Sequence, residues 1–216
     1  MKKSIIWIVT ISVLLIASIL LYSLARPCEL ETHEYEILEN YKDIKIVTDT
    51  ADIQFILSEK PNTFIVCEEE KNANHSVMVK ENTLRIEVND NKKWYEDIGI
   101  NLRAPKITVY LGKSEYGNIS LKTDIGNILL DNIIVTGKIA IETDTGNVKF
   151  EECDASEAFI KTDTGNVTGS FLTDKVVFAE SDTGNIDIPK IIADEKCEII
   201  TDTGNIKITI EQKNNS

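Results

Sequence analysis

The pentapeptide TDTGN occupies residues 143–147 and recurs at 162–166 and 201–205, and the close copies TDIGN and SDTGN occupy 123–127 and 181–185. The glycines of these five copies follow one another at intervals of 20, 19, 19 and 20 residues. A regular period near 20 residues is typical of a stacked array of similar structural units. The pentapeptide therefore predicts a turn that is used once in each unit, and not a ligand site.

Apolar and polar residues alternate on both sides of each turn. In the second copy Ile139 and Ile141 precede the turn, and Val148 and Phe150 follow it. A step of two residues is typical of β-strands, whereas helices repeat every 3.6 residues. We therefore predict an all-β fold, a single-stranded β-solenoid of about five rungs of 19–20 residues over residues 113–210.

The turn residues are predicted to serve backbone geometry. Glycine would supply a positive φ, Asp and Thr would fold their oxygens onto nearby backbone N–H groups, and Asn would bond its copy on the next rung. The parity of the strands points the first threonine of each copy inward. The predicted structural turn ladder comprises Asp124, Gly126, Asn127, Asp144, Gly146, Asn147, Asp163, Gly165, Asn166, Asp182, Gly184, Asn185, Asp202, Gly204 and Asn205.

No metal or cofactor is predicted. A column of aspartates offers oxygen ligands to calcium, which is the alternative, but the glycine-rich nonapeptide pattern of calcium-binding β-rolls is absent. The two histidines, His33 and His75, are too few and too isolated to build a classical metal centre. Cys153 and Cys197 fall in apolar columns, so they are predicted to be core thiols that do not form a disulfide with each other.

The segment before the repeats is also rich in strand patterns. Residues 41–112 are predicted to form a β-rich cap on the N-terminal end of the rod, with 28–40 as a juxtamembrane segment and 211–216 as a polar tail. TDTADI at 48–53 resembles the repeat and predicts a first turn with Ala51 in the glycine position.

One stretch interrupts the repeat pattern with aromatic and basic side chains. Residues 89–105 contain Trp94, Tyr95 and Arg103. Either this loop packs its tryptophan on the cap, or it contacts a partner.

The N-terminus predicts the compartment. Residues 5–25 carry no charged side chain over 21 positions and follow Lys2 and Lys3. This pattern predicts a transmembrane anchor over residues 1–27 with the rest of the chain outside the cytoplasm. The alternative is a signal peptide cleaved near Ala25, which would release a secreted protein.

The order and spacing of these patterns resemble the bacterial putative-adhesin, or toastrack, family. YKDIKIVTDTADIQF at 41–55, KITVYLG at 106–112 and the TDTGN series carry the resemblance. It implies a β-solenoid that acts as a noncatalytic surface or envelope module, without catalytic residues.

Composition separates the remaining function classes. The net charge of −13 and the pI near 4.7 argue against nucleic acid as a partner. Residues 117–216 contain no His, Arg, Trp or Tyr, which disfavours both a polysaccharide-active enzyme and a sugar-binding platform. We therefore predict a noncatalytic module that contacts an unknown envelope or surface protein through its strand faces or residues 89–105. The alternatives are a carbohydrate- or host-binding adhesin and a polysaccharide-active β-solenoid enzyme.

Overall fold

A computed structural model describes residues 30–70, 73–90, 104–192 and 196–210. These residues form sixteen β-strands in one continuous sheet and contain no helix. The strands are β1 (Leu30–Ile37), β2 (Asp43–Thr50), β3 (Asp52–Leu57), β4 (Thr63–Glu70), β5 (Ala73–Lys80), β6 (Thr83–Asp90), β7 (Lys106–Leu111), β8 (Glu115–Tyr116), β9 (Ile119–Ile125), β10 (Ile128–Asp131), β11 (Ile134–Thr145), β12 (Val148–Thr164), β13 (Val167–Thr183), β14 (Ile186–Ile192), β15 (Lys196–Thr203) and β16 (Ile206–Ile210).

The strand segments that precede each turn stack in parallel and form the first column of the solenoid. Its spatial order is β6, β2, β9, β11, β12, β13 and β15. Equivalent residues lie side by side, so that Ile46 pairs with Ile86 on one side and Leu121 on the other. Because successive strand residues point to opposite faces, every second side chain of the alternating sequence lies inside the solenoid.

The segments that follow each turn form the second column. Its order is β7, β3, β10, β12, β13, β14 and β16, again parallel. Ile53 pairs with Ile107 and Ile128, which are its equivalents in the neighbouring rungs. The inward side chains of the two columns form one continuous aliphatic core, in which Phe55 and Phe150 are the largest fully buried residues. Because no single rung has a core of its own, the rungs are stable only as a stack.

Antiparallel strands cover the N-terminal end of the stack. Strand β4 pairs with β7 at the end of the second column, and β1 pairs with β4. Strand β5 pairs with β6 at the end of the first column, through a tight turn in which Glu81 and Asn82 adopt positive φ. Pairing the end strands in this way removes an open edge that would otherwise template aggregation.

The predicted fold is wrong in its separation of a rod from a cap. Strands β2 and β3, predicted to belong to the cap, form a full rung directly beside β9 and β10. Strands β6 and β7 extend the same columns one step further. The stack therefore has about seven levels instead of five, and the first two lie in reverse chain order. Only β1, β4 and β5 cap it.

The transmembrane helix is the second part of the predicted fold that needs correction. The described residues form no helix, and none of them could therefore cross a membrane as a helix. Residues 5–25, from which that helix was predicted, lie outside the described ranges.

Candidate functional site

The asparagines of the turns form a continuous amide ladder along one edge of the stack. In each rung the backbone N–H and the Nδ2 of asparagine both donate to Oδ1 of the asparagine one rung earlier, at 2.9–3.2 Å. The ladder begins at Asp52, whose Oδ1 accepts both bonds from Asn127 at 2.7 and 3.1 Å. The side-chain amides of the turn edge therefore satisfy one another's hydrogen-bonding groups. The sequence TDTADI at 48–53 adds one more rung to this edge through Asp52.

The first threonine or serine is buried in the first four repeats, as its parity predicts, and Thr201 in the last repeat is half-buried. Thr162 is fully buried, and its hydroxyl donates to the carbonyl oxygen of Gly146 in the preceding rung at 3.0 Å. Ser181 and Thr201 repeat this bond to Gly165 and Gly184 at 2.8 and 3.0 Å. These hydroxyls supply donors to carbonyl oxygens of the turns, and a buried acceptor without a donor would be costly.

The turn glycines are required for close approach and not for positive φ. Among the described glycines only Gly169 has a positive φ, of 115°. A Cβ placed on Gly146 would overlap the carbonyl oxygen of Gly126, and the same overlap occurs between Gly165 and Gly146. The predicted reason for glycine is therefore wrong, and the stacking of one turn on the next is the cause.

The ladder aspartates are exposed and stand among lysines. Lys122 donates to Glu142 at 2.7 Å, and this bond, with Asp144 and Asp124 nearby, raises the pKa of the lysine. Lys161 and Glu180 form the same pair at 3.4 Å two rungs later. Exposed pairs of this kind contribute little stability, and mainly offset the repulsion between the acidic side chains. In the described ranges the ladder aspartates form no group that is compact enough to hold a metal ion.

The predicted contact loop cannot be placed. Trp94, Tyr95 and Arg103 lie outside the described residues, so the two interpretations of residues 89–105 stay predictions.

The outer face of the first column carries a groove. Phe159 and Phe178 lie beside each other with ring centroids 6.4 Å apart, and Nζ of Lys138 lies 3.9 Å from the ring centroid of Phe159. On the two preceding rungs, Ala140 and Ser120 occupy the positions in register with Phe159. Their side chains are too small to continue the aromatic row. The step from large to small side chains leaves a groove of about 380 Å³.

Lysines dominate the charged side chains along the groove. Lys45, Lys122 and Lys161 line it, together with the single carboxylate of Glu142. Lys122, Glu142 and Lys161 lie in register on three successive rungs, so the two lysines are two strand spacings, or ~9.6 Å, apart. The groove is therefore locally basic although the whole chain carries a net charge of −13.

A second cluster of functional groups lies in the cap, around the buried carboxylate of Glu69. Its Oε1 is 2.7 Å from Nδ1 of His33, and its Oε2 is 2.6 Å from Nδ1 of His75. The backbone N–H of His75 also donates to Oε2, at 2.7 Å. Both histidines of the chain therefore meet on one carboxylate, in contrast to the expectation that they are isolated.

Cys67 completes this cluster. It is fully buried two residues before Glu69 on β4, and it pairs directly with His33 of the antiparallel strand β1. Sγ of Cys67, a carboxylate oxygen of Glu69 and a ring nitrogen of His75 all lie within 4.8 Å of one another. Burial, with Glu69 as a lesser cause, raises the pKa of the Cys67 thiol to about 12.

The far side of His75 is also held. Its Nε2 lies 2.8 Å from Oγ1 of Thr48, and its backbone carbonyl accepts a bond from the hydroxyl of Tyr35 at 3.4 Å. Thr48 is the first threonine of the TDTADI turn, so the cluster is anchored to the rung formed by β2 and β3. The repeats gave no signal for this cluster, because strands β1, β4 and β5 lie outside the period; the alternating pattern of TFIVCEE, which points Cys67 and Glu69 inward together, was the available clue.

Comparison with known proteins agrees with this architecture. The model of the Toastrack DUF4097 family matches residues 41–216. The chain belongs to the Toastrack DUF4097 family. This confirms the family resemblance predicted from the sequence, while a comparison with curated proteins found no match.

Two solved structures have a fold similar to that of this chain. A "putative adhesin" from Bacteroides fragilis has 19% identity and a TM-score of 0.53, over 83% of this chain and 97% of that one. A "putative cell adhesion protein" from Clostridium sporogenes has 13% identity and a TM-score of 0.58, over 84% of this chain and 100% of that one. At these identities the similarity supports the fold alone.

Proposed function

We propose that this toastrack chain is a noncatalytic module that binds a protein partner through the outer face of its first strand column. The observation that carries the proposal is the groove of about 380 Å³ beside Phe159 and Phe178. Concave, mostly apolar surfaces with a few placed charges are the usual sites at which proteins bind ligands and peptide segments. The strand faces are also one of the two contact regions expected from the sequence.

The groove suits an extended, acidic segment of the partner. Its charged lining consists of three lysines, Lys45, Lys122 and Lys161, against the one carboxylate of Glu142. Two of these lysines are already paired with glutamates, so a partner carboxylate would compete for groups that are exposed and rearrange easily. An apolar side chain over Ala140, flanked by Asp or Glu, would fill the groove and complement its charge.

The turn edge supports the noncatalytic part of the proposal. Its asparagines bond one another, and its rungs are alike, so that no carboxylate is set apart for catalysis. An enzyme needs a few groups with distinct environments, positioned around one reacting atom. The names given to the two related structures, which mention adhesion, agree with a contact role.

The proposal also assigns the β-solenoid to the outside of the cytoplasm. It is supported by the 21 uncharged residues at 5–25 that follow Lys2 and Lys3, a pattern of export signals. A membrane-impermeant maleimide applied to intact cells tests this with the variant Thr168→Cys in a background that lacks the native cysteines. Labelling without lysis is expected, and labelling only after lysis would refute export.

Site-specific photocrosslinking in intact cells tests the contact face. A photoreactive phenylalanine analogue replaces Ala140 in the groove, and in a matched control it replaces Thr168 on the outer face of the second column. Crosslinks from position 140 are expected to form with one partner peptide that contains Asp or Glu beside an apolar residue. The double variant Lys122→Glu/Lys161→Glu should lower their yield about tenfold.

Other outcomes would count against the proposal. Equal crosslinking from positions 140 and 168, or crosslinks restricted to a probe at Asp163 on the turn edge, would contradict the contact face. Crosslinks to polysaccharide instead of protein would favour the carbohydrate-binding alternative.

A further inference from the structure

We propose that Cys67, Glu69 and His75 form a binding site for a zinc ion in the cap of the solenoid. The three side chains are buried, and their ligand atoms lie within 4.8 Å of one another. Ligands of a tetrahedral zinc ion, at bond lengths of ~2.0–2.3 Å, lie roughly 3.3–3.8 Å apart. Small side-chain shifts would therefore enclose the ion. This site is separate from the contact groove and does not depend on the function proposed above.

The rigidity of the strands supports a preformed site. Cys67 and Glu69 are two residues apart on β4 and point to the same side, and β4 is hydrogen-bonded to both β1 and β7. His75 lies on β5, which is paired along its length with β6. Sites built on paired strands hold their ligands more accurately than sites on loops.

The hydrogen bonds of the cluster mark the position of a cation. Nδ1 of His75 and Oε2 of Glu69 are 2.6 Å apart, so that a proton must lie between two groups that would otherwise present lone pairs to each other. Zinc can take the place of this proton and also accept the nearby thiolate of Cys67. Binding would therefore release the thiol proton, while the proton at Nδ1 passes to Nε2, which faces the Thr48 hydroxyl.

Neighbouring groups orient the proposed ligands through hydrogen bonds, as is usual around bound metal ions. Nε2 of His75 faces Oγ1 of Thr48 at 2.8 Å, which orients the ring and leaves Nδ1 for the ion. His33 holds the second carboxylate oxygen of Glu69 at 2.7 Å. The side chain of His33 is 43% exposed, so it borders a path from solvent to the buried carboxylate. His33 is therefore assigned as a positioning residue, and water as the fourth ligand.

The donor set selects the kind of metal. One thiolate, one imidazole and one carboxylate suit zinc and chemically similar transition metals. Calcium prefers six to eight oxygen ligands, which this buried cluster does not offer.

Cobalt titration of the metal-free, full-length chain tests the site. Co²⁺ in a tetrahedral site with a thiolate gives strong visible bands and a sulfur-to-cobalt charge-transfer band. We expect one equivalent of Co²⁺ to develop both, and Zn²⁺ to abolish them by displacement. A free Zn²⁺ concentration of about 100 times its Kd should raise the Tm of the chain by roughly 5–10 °C.

Matched variants assign the ligands. Cys67→Ser should remove the charge-transfer band and weaken Zn²⁺ binding about 100-fold or more, while Cys153→Ser, a second buried thiol, should leave both unchanged. His33→Gln should keep the charge-transfer band but weaken Zn²⁺ binding about tenfold.

The proposal is overturned if the unmutated chain shows no sulfur band. It is also overturned if Cys67→Ser binds Zn²⁺ as tightly as the unmutated chain, or if Cys153→Ser loses the band. Should Cys67→Ser fail to fold, the band of the unmutated chain and its persistence after single replacement of each other cysteine still decide the question.

Discussion

The backbone N–H and the side-chain Nδ2 of Asn147 both donate to a single atom, Oδ1 of Asn127, at 3.1 and 3.0 Å. Asn147 in turn accepts two bonds from Asn166. Each asparagine therefore joins two rungs, and the chain of amides ties the turns into one edge. This relationship explains why asparagine follows the glycine of every repeat turn.

Replacing an inner asparagine should cost more than replacing the last one. Asn147→Ala removes one donated and two accepted bonds, and at about 0.5–1.5 kcal/mol each we expect a loss of roughly 1.5–4.5 kcal/mol in the free energy of unfolding. Asn205→Ala removes only the bond that its side chain donates to Asn185, and the loss should be about 0.5–1.5 kcal/mol. Urea unfolding followed by circular dichroism measures both, and equal losses would contradict the ladder.

Adding a methyl group to a turn glycine should disrupt the stack. In Gly146→Ala the new Cβ would overlap the carbonyl oxygen of Gly126, and backbone atoms cannot move aside without separating the rungs. We expect the free energy of unfolding to fall by about 3 kcal/mol or more. The control Thr145→Ala changes an exposed side chain in the same turn and should cost under about 0.5 kcal/mol. Tolerance of Gly146→Ala would show that the turns lie further apart.

The buried hydroxyls can be tested by removing the oxygen without changing the shape. Thr162→Val leaves the carbonyl of Gly146 without its hydroxyl donor, and we expect a loss of about 1–3 kcal/mol in the free energy of unfolding. Thr162→Ser retains the donor, as Ser181 does in the next rung, and should cost less. Thermal unfolding of the two variants compares them directly. If serine proved as damaging as valine, packing of the methyl group and not the hydrogen bond would be responsible.

Thiol reactivity should follow the burial of each cysteine. Because the pKa of Cys67 rises from 9.0 to about 12 and that of Cys153 to about 11, their thiolate fractions at pH 8.5 fall by roughly 1,000-fold and 100-fold. Cys197, which is only half-buried, should be alkylated first of the three. Mass spectrometry after timed alkylation of the metal-free chain measures each site, and urea should equalise the rates. Rapid native labelling of Cys67 would contradict its place in the core.

The period of the repeat and the parity of its residues were enough to predict most of the solenoid. The inward position of Thr143, the amide contact of Asn147 and the turn at Ala51 follow from the spacing alone. Cys153 and Cys197 are unpaired thiols in or beside the core, as their columns predict. These features repeat, so each copy supports the interpretation of the next.

Features that occur once could not be found in this way. The reversed order of the first two levels depends on the hairpin between β5 and β6, which carries the chain back to the end of the stack. His33 and Glu69, which are in contact, are 36 residues apart in the sequence and lie on strands that share no period. The role of glycine was misjudged because close approach depends on how turns stack, which no single turn sequence reveals.

The central claim is that the turn at residues 48–53 forms a rung directly on the repeats. Val47 pairs with Lys122 in adjacent parallel strands, whereas Glu87 lies one level further away, next to Val47. Adjacent rungs are ~4.8 Å apart and alternate rungs about twice that, while a disulfide needs Cα atoms within ~7 Å.

Mild oxidation of two double variants, with peptide mapping of the crosslinks, tests this arrangement. The account predicts a disulfide in Val47→Cys/Lys122→Cys and none in Glu87→Cys/Lys122→Cys. A disulfide in the second variant and none in the first would place β6 between β2 and the repeats, and would contradict the stack described above.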